Sequence, residues 1–208
     1  IAFYKEQPVF GGQYSNQCYI NRTSDAYFKY KEITNQKGKL YESWENILMH
    51  LPYCFQARRT FVEIFAKENN LTEDIKTISK SPEYIEFVTK TIFPSEIASG
   101  QVGNMYTGSI FLGMLSTLCY HVQQNTNLTN KKFGFIAYGS GSKSKVFEAE
   151  VQEHWQSVIE KTQLFETLNN STEIDFGTYI SLHKKERKQS VLQPKNEFVL
   201  DYIEKESP

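Results

Sequence analysis

The chain has 208 residues, 39% of them hydrophobic, with 15 Phe and 13 Tyr; that is enough apolar material for one substantial core and too much for a disordered chain. Its 23 basic and 24 acidic side chains leave a formal net charge of −1. No global field therefore draws it to nucleic acid or to an anionic membrane, and any anionic ligand needs a local basic site.

The three cysteines, Cys18, Cys54 and Cys119, are odd in number and lack metal-ligand spacing, which argues against a disulfide framework and against a bound metal. The longest apolar stretch, Ile110 to Leu118, is too short to span a bilayer and is interrupted by Gly113, Ser116 and Thr117. A soluble, cytoplasmic protein is expected. The start, Ile1-Ala2-Phe3-Tyr4, lacks Met and is already hydrophobic, as expected of a piece cut from something longer.

Helical spacing of Cys18, Tyr19, Ala26, Tyr27 and Tyr30 predicts a first helix to about Lys31, with Ser15 as its N-cap and Gly11-Gly12 in the turn before it. Trp44 to His50 reads as a buried strand that Pro52 stops. A helix is expected from Phe55 to about Glu68, then two short helices between Thr72 and Ile97, one of them opened by Ser81 as N-cap with Pro82 behind it.

Thr107 to Gln124 predicts a buried helix in which Gly108, Ser109, Gly113 and Ser116 let a neighbour approach closely. Lys132 to Tyr138 and Ser144 to Val151 predict a hairpin across Gly139-Ser140-Gly141-Ser142. Helices near Ser157 to Leu168 and Asp175 to Lys185 and a last strand from Glu197 to Ile203 follow. Strands and helices alternate, which favours an α/β fold.

Three segments place polar groups at the ends of apolar elements, where they are held rigidly yet reach solvent: His50-Leu51-Pro52-Tyr53, Gly103-Asn104-Met105-Tyr106-Thr107, and Tyr138-Gly139-Ser140-Gly141. Each has an ordinary structural reading as well: a satisfied histidine, a helix cap and a turn.

In this order, and together with Ser15-Asn16-Gln17-Cys18-Tyr19 and Leu168 to Glu173, the segments resemble the 3-hydroxy-3-methylglutaryl-CoA synthase family over essentially the whole chain. The resemblance implies a thiolase-like fold with αβαβα layers, of which residues 1–208 would be the C-terminal half with C-terminal additions. The family's nucleophilic cysteine and acid/base glutamate would lie in the N-terminal half, and the three cysteines here match neither position; core packing is expected for them.

By the same resemblance the reaction is an acyl-transferring condensation of acetyl-CoA with acetoacetyl-CoA and water to give HMG-CoA and CoA, in the mevalonate route to isoprenoids. Coenzyme A thioesters are its substrates, without a prosthetic group. Each step develops negative charge on an oxygen, which fixed donors must meet. His50 would polarise the acetoacetyl group, and Asn104 and Ser140 would orient acyl or pantetheine groups. Ser15 and Arg59 would contact CoA. The implied partners are the N-terminal half of the same enzyme and a second copy in a homodimer.

One departure matters. The family has lysines five and nine residues after the histidine, where this chain has Phe55 and Arg59. Arg59, with Arg58 beside it, can still meet phosphate; Phe55 cannot. The departure leaves open a synthase that uses acyl carrier proteins, as in polyketide β-branching, and a noncatalytic binding lobe stands as the third reading.

Overall fold

The computed structural model describes residues 11–139, 142–192, 195 and 198. They divide between Asn170 and Ser171 into two units. Among the described residues of the first, helix α1 runs over Gly12–Ile33, with Gly11 in extended backbone as its N-cap. Ser15 is therefore not the cap that the sequence suggests. Its backbone N–H already donates to Gly11 O at 2.8 Å, so it sits inside the helical ladder.

Strand β1 is Asn46–Met49, shorter than the apolar run predicts, and all four residues are buried. Helix α2 follows over Gln56–Glu68. Three helices rather than two come next: α3 (Ile75–Ile78), α4 (Pro82–Thr91) and α5 (Phe93–Val102). The α4–α5 break comes at Ile92, where Pro94 has no N–H to continue the ladder. Ser81 caps α4 as expected, its side chain accepting from Tyr84 N–H. A 3-10 turn over Tyr106–Gly108 leads into α6, Ser109–Gln123.

Strand β2 (Lys132–Gly139) pairs parallel with β1 and antiparallel with β3 (Lys143–Glu150), giving the order β1-β2-β3 and the predicted hairpin. Alternation along the strands divides the core between the two faces of this sheet. Ile47, Met49 and Ile136 join Tyr27, Phe61, Phe65 and Tyr84 of α1, α2 and α4. Leu48, Phe133 and Phe135 join Ile110 and Leu118 of α6 and Trp155. Helices thus cover both faces, the α/β arrangement that the alternating pattern predicts.

Two close approaches hold these layers. A Cβ on Gly134 of β2 would lie 2.0 Å from the Trp44 ring, so only glycine lets that indole lie on the sheet; its Nε1–H then donates to Glu148 of β3 at 3.0 Å. Between α5 and α6, Ser116 Oγ donates to Pro94 O at 2.7 Å and accepts from Ala98 N–H at 3.2 Å. A Cβ on Gly113 would lie 3.4 Å from Ser95 O, which is the small-residue contact expected of α6.

The single helix expected near Ser157 to Leu168 is instead α7 (Trp155–Ile159), a 3-10 turn (Glu160–Thr162) and α8 (Leu164–Asn169). Gln163 has a left-handed backbone, φ 48°, and Thr162 Oγ1 donates to the Ile159 carbonyl at 2.7 Å, so the helix ends before Phe165 turns into the core. In the second unit, α9 (Phe176–His183) starts at Asp175, whose side chain accepts from Thr178 N–H. The strand expected over Glu197 to Ile203 lies outside the described residues.

Candidate active site

In open α/β sheets, ligands bind beyond the carboxyl ends of the parallel strands. His50 stands there, one residue after β1, and its N–H donates to Ile136 O of β2 at 3.2 Å. Its carbonyl accepts the buried Tyr19 hydroxyl of α1 at 2.6 Å; burial raises the Tyr19 pKa far above its ordinary value, so this donor stays protonated. The Tyr19 and Tyr138 rings lie 6.3 and 6.4 Å from the imidazole, centroid to centroid. Backbone and ring of His50 are thus held by α1, β1 and β2 together.

The imidazole itself is tied to α6. Ser109 Oγ lies 3.0 Å from His50 Nδ1 and accepts the Leu51 N–H at 2.9 Å. His50 is half-buried, and that burial lowers its pKa below the ordinary imidazole value near 6.5. It is a neutral ring at pH 7, able to present one N–H to a ligand.

Asn104 lies five residues before Ser109, in the turn that feeds α6. Gly103 takes φ 84°, ψ −153°, a region almost closed to residues with a Cβ. Tyr106 has φ 50°, and its N–H donates to Asn104 Oδ1 at 2.7 Å. That bond orients the exposed Asn104 amide, whose nitrogen can donate to a ligand. Ser109, five residues after Asn104, is the α6 residue that reaches His50.

Ser140 lies outside the described residues, although Gly139 before it ends β2 beside Tyr138. Ser15 is exposed on the first turn of α1. Arg59 is exposed on α2; it donates to Tyr53 Oη at 2.8 Å and lies over the Tyr53 ring at 5.8 Å. Together with Lys76 it lines a groove of about 400 Å³ between α2, α3 and α4.

Arg58, adjacent to Arg59, is already engaged. Its Nε lies 3.0 Å from Glu96 of α5, whose side chain is 2% exposed. This hydrogen-bonded pair holds the Arg58 pKa above its ordinary value. Phe55 stands out in solvent, 51% exposed, with the Arg58 guanidinium 4.8 Å from its ring centre.

Cys119 is buried, while Cys18 and Cys54 are only half-buried, so the expected core packing holds for one of the three. Among the described residues no group of three His, Cys, Asp or Glu side chains is placed to hold a metal, and no helix is long and apolar enough to cross a membrane. Sequence reasoning took Ser109 as a small packing residue and passed over Tyr19 as a partner of His50. Neither role has a sequence signal, because the partners lie 59 and 31 residues away.

Residues 66–199 match the protein family described as hydroxymethylglutaryl-coenzyme A synthase C terminal. A hydroxymethylglutaryl-CoA synthase of Haloferax volcanii is 25% identical, over 92% of this chain and 51% of its own length. One from Enterococcus faecalis is 28% identical, over 83% of this chain and 40% of its own length. The chain thus spans about half the length of these relatives.

Among solved structures, MvaS in complex with 3-hydroxy-3-methylglutaryl coenzyme A superposes with a TM-score of 0.70 at 20% identity, over 94% of this chain and 48% of that one. The curacin pathway HMG synthase in complex with apo donor-ACP gives 0.72 at 18% identity, over 87% and 42%. The α/β structure of the chain matches the fold of part of each of these proteins.

Proposed function

The chain belongs to the hydroxymethylglutaryl-CoA synthase C-terminal family, and on that premise we propose that it supplies the carbonyl-polarising half of a synthase that condenses acetyl-CoA with acetoacetyl-CoA. In this reading the other half of a five-layered thiolase-like fold brings the nucleophilic cysteine and the acid/base glutamate. The acetyl group passes to the cysteine with release of CoA, and its deprotonated methyl carbon attacks the ketone of acetoacetyl-CoA. The alkoxide takes a proton, and water cleaves the enzyme thioester to give HMG-CoA.

The observation that supports this most is the half-buried imidazole held at the end of β1, with Ser109 of α6 at its Nδ1; five residues before Ser109, the Asn104 amide is oriented by the Tyr106 N–H. His50 and Asn104 are then the donors to the ketone and thioester oxygens, with Ser140 assigned to the same task. Removing one such donor typically lowers kcat by about 100- to 1,000-fold. Arg59 and Lys76, on one groove, are suited to CoA phosphates, and Ser15 to a further CoA contact.

Large apolar side chains stand exposed on the Asn104 turn and α6, Tyr106 at 77% and Phe111 at 57%. Such side chains suit contact with the other half of the enzyme, and a homodimer of the complete protein is part of the same reading.

A second reading, transfer from an acyl carrier protein, is favoured by Phe55, an exposed aromatic where a CoA-binding cation is expected. Incubating the intact natural polypeptide with acetyl-CoA and acetoacetyl-CoA, and separately with carrier-bound acyl groups, tests both. Acetyl-CoA-dependent loss of acetoacetyl-CoA supports the first reading; turnover of carrier-bound substrates alone replaces it with the second. No turnover with either removes the enzyme reading in favour of a binding lobe.

A further inference from the structure

We propose that Ser109 is a positioning residue that sets the tautomer of His50, holding Nδ1 as an acceptor so that Nε2–H is the donor presented to the substrate oxygen. The catalytic consequence rests on the condensation reading above; the tautomer itself does not.

Ser109 is 0% exposed and stands at the first position of α6, so its hydroxyl proton must find a partner within the protein. The oxygen is already an acceptor, taking the Leu51 N–H at 2.9 Å. Among the described residues, the one acceptor within reach of its proton is His50 Nδ1, at 3.0 Å.

Were Nδ1 protonated instead, both nitrogens would donate into the same serine oxygen, and the buried hydroxyl proton would be left unpaired. With Ser109 as donor to Nδ1, all three groups are satisfied in a relay from Leu51 N–H to Ser109 Oγ–H to Nδ1. The one remaining ring proton is then on Nε2, the nitrogen remote from the α6 contact.

Rotation of the ring is opposed as well. The flanking Tyr19 and Tyr138 rings, themselves 4.6 Å apart, limit the space around it, and the Tyr19 hydroxyl fixes the His50 carbonyl at 2.6 Å. A donor aimed before the reaction begins needs no reorganisation as charge develops on the oxygen. Because Ser109 belongs to the same stretch of chain as Asn104, one segment orients both donors.

The test uses the intact natural polypeptide labelled with 15N-histidine, with the His50 ring signals identified by their loss in His50→Gln. Wild type is expected to show Nε2 protonated and Nδ1 as a hydrogen-bonded acceptor. Protonated Nδ1 in the wild type overturns the proposal whatever the variants do.

Ser109→Ala is expected to lose the single tautomer and to lower kcat by about 10-fold or more, short of the ~100-fold or greater loss that removal of a donor brings, with KM little changed. Ser109→Thr, which keeps the hydroxyl, is expected to restore both. A tautomer unchanged in Ser109→Ala overturns the proposal; if that variant does not fold, the wild-type signal and Ser109→Thr decide. The expected tautomer in a protein without condensing activity overturns the condensation reading and leaves Ser109's role standing.

Discussion

Burial favours the neutral form of His50 and of His121, and both bear on how the chain responds to acid. His50 is half-buried at the end of β1; His121 is buried in α6, with Nε2 2.9 Å from Asn46 Oδ1 and Nδ1 without a partner among the described residues. Asn46 donates its own amide hydrogens to the Thr91 and Lys90 carbonyls, so its oxygen accepts and His121 carries its proton on Nε2. Burial lowers both pKa values, with Glu45 opposing weakly at His121. The unfolded chain therefore takes up protons first, near pH 6.5. The stability tied to the neutral rings is present above that pH and is lost as pH falls toward the lowered folded values. Thermal midpoints measured from pH 7.5 down to 5 should fall for wild type and fall less for His121→Gln, which keeps a donor to Asn46. Parallel curves would show that His121 does not titrate in this range. At this scale the sequence disclosed the polar candidates, since His50 and Asn104 stand where apolar elements end. It could not disclose that Arg58 is engaged by Glu96 from α5, or that Ser109 meets His50, because such pairings exist only once distant elements pack.

At the scale of elements, periodicity and local chemistry were legible almost throughout: α2 begins within a residue of its expected start, Ser81 caps α4, and β2 and β3 form the hairpin. The errors lie where single backbone groups decide, as at Ile92 before Pro94 and at Gln163, and at Ser15, where the helix starts four residues early. What holds the elements together was less legible. Gly134 reads as an ordinary strand glycine, yet the Trp44 indole occupies the space that a side chain there would need. Gly134→Ala must push that ring off β2 and strain its bond to Glu148. Overpacking of this kind costs about 1–3 kcal/mol, so the denaturation midpoint should drop clearly, whereas an unchanged midpoint would mean that Trp44 relocates freely.

At the scale of the whole molecule, the α/β class followed from the alternation of elements, and the family from three short polar segments in order, which the match over residues 66–199 bears out. The chain spans about half the length of its relatives, and in the proposed reading it supplies donors while the nucleophilic cysteine comes from the other half of the enzyme. That division of labour makes a sharp demand. If the chain polarises the acceptor ketone while the other half forms the acetyl-enzyme, the two half-reactions should separate on mutation. The decisive measurement is to give the intact polypeptide and its His50→Ala variant labelled acetyl-CoA, and to follow acetyl transfer to the protein and HMG-CoA formation side by side. His50→Ala should still take up acetyl groups but make HMG-CoA at least ~100-fold more slowly. Condensation at the wild-type rate in that variant would contradict this division of labour.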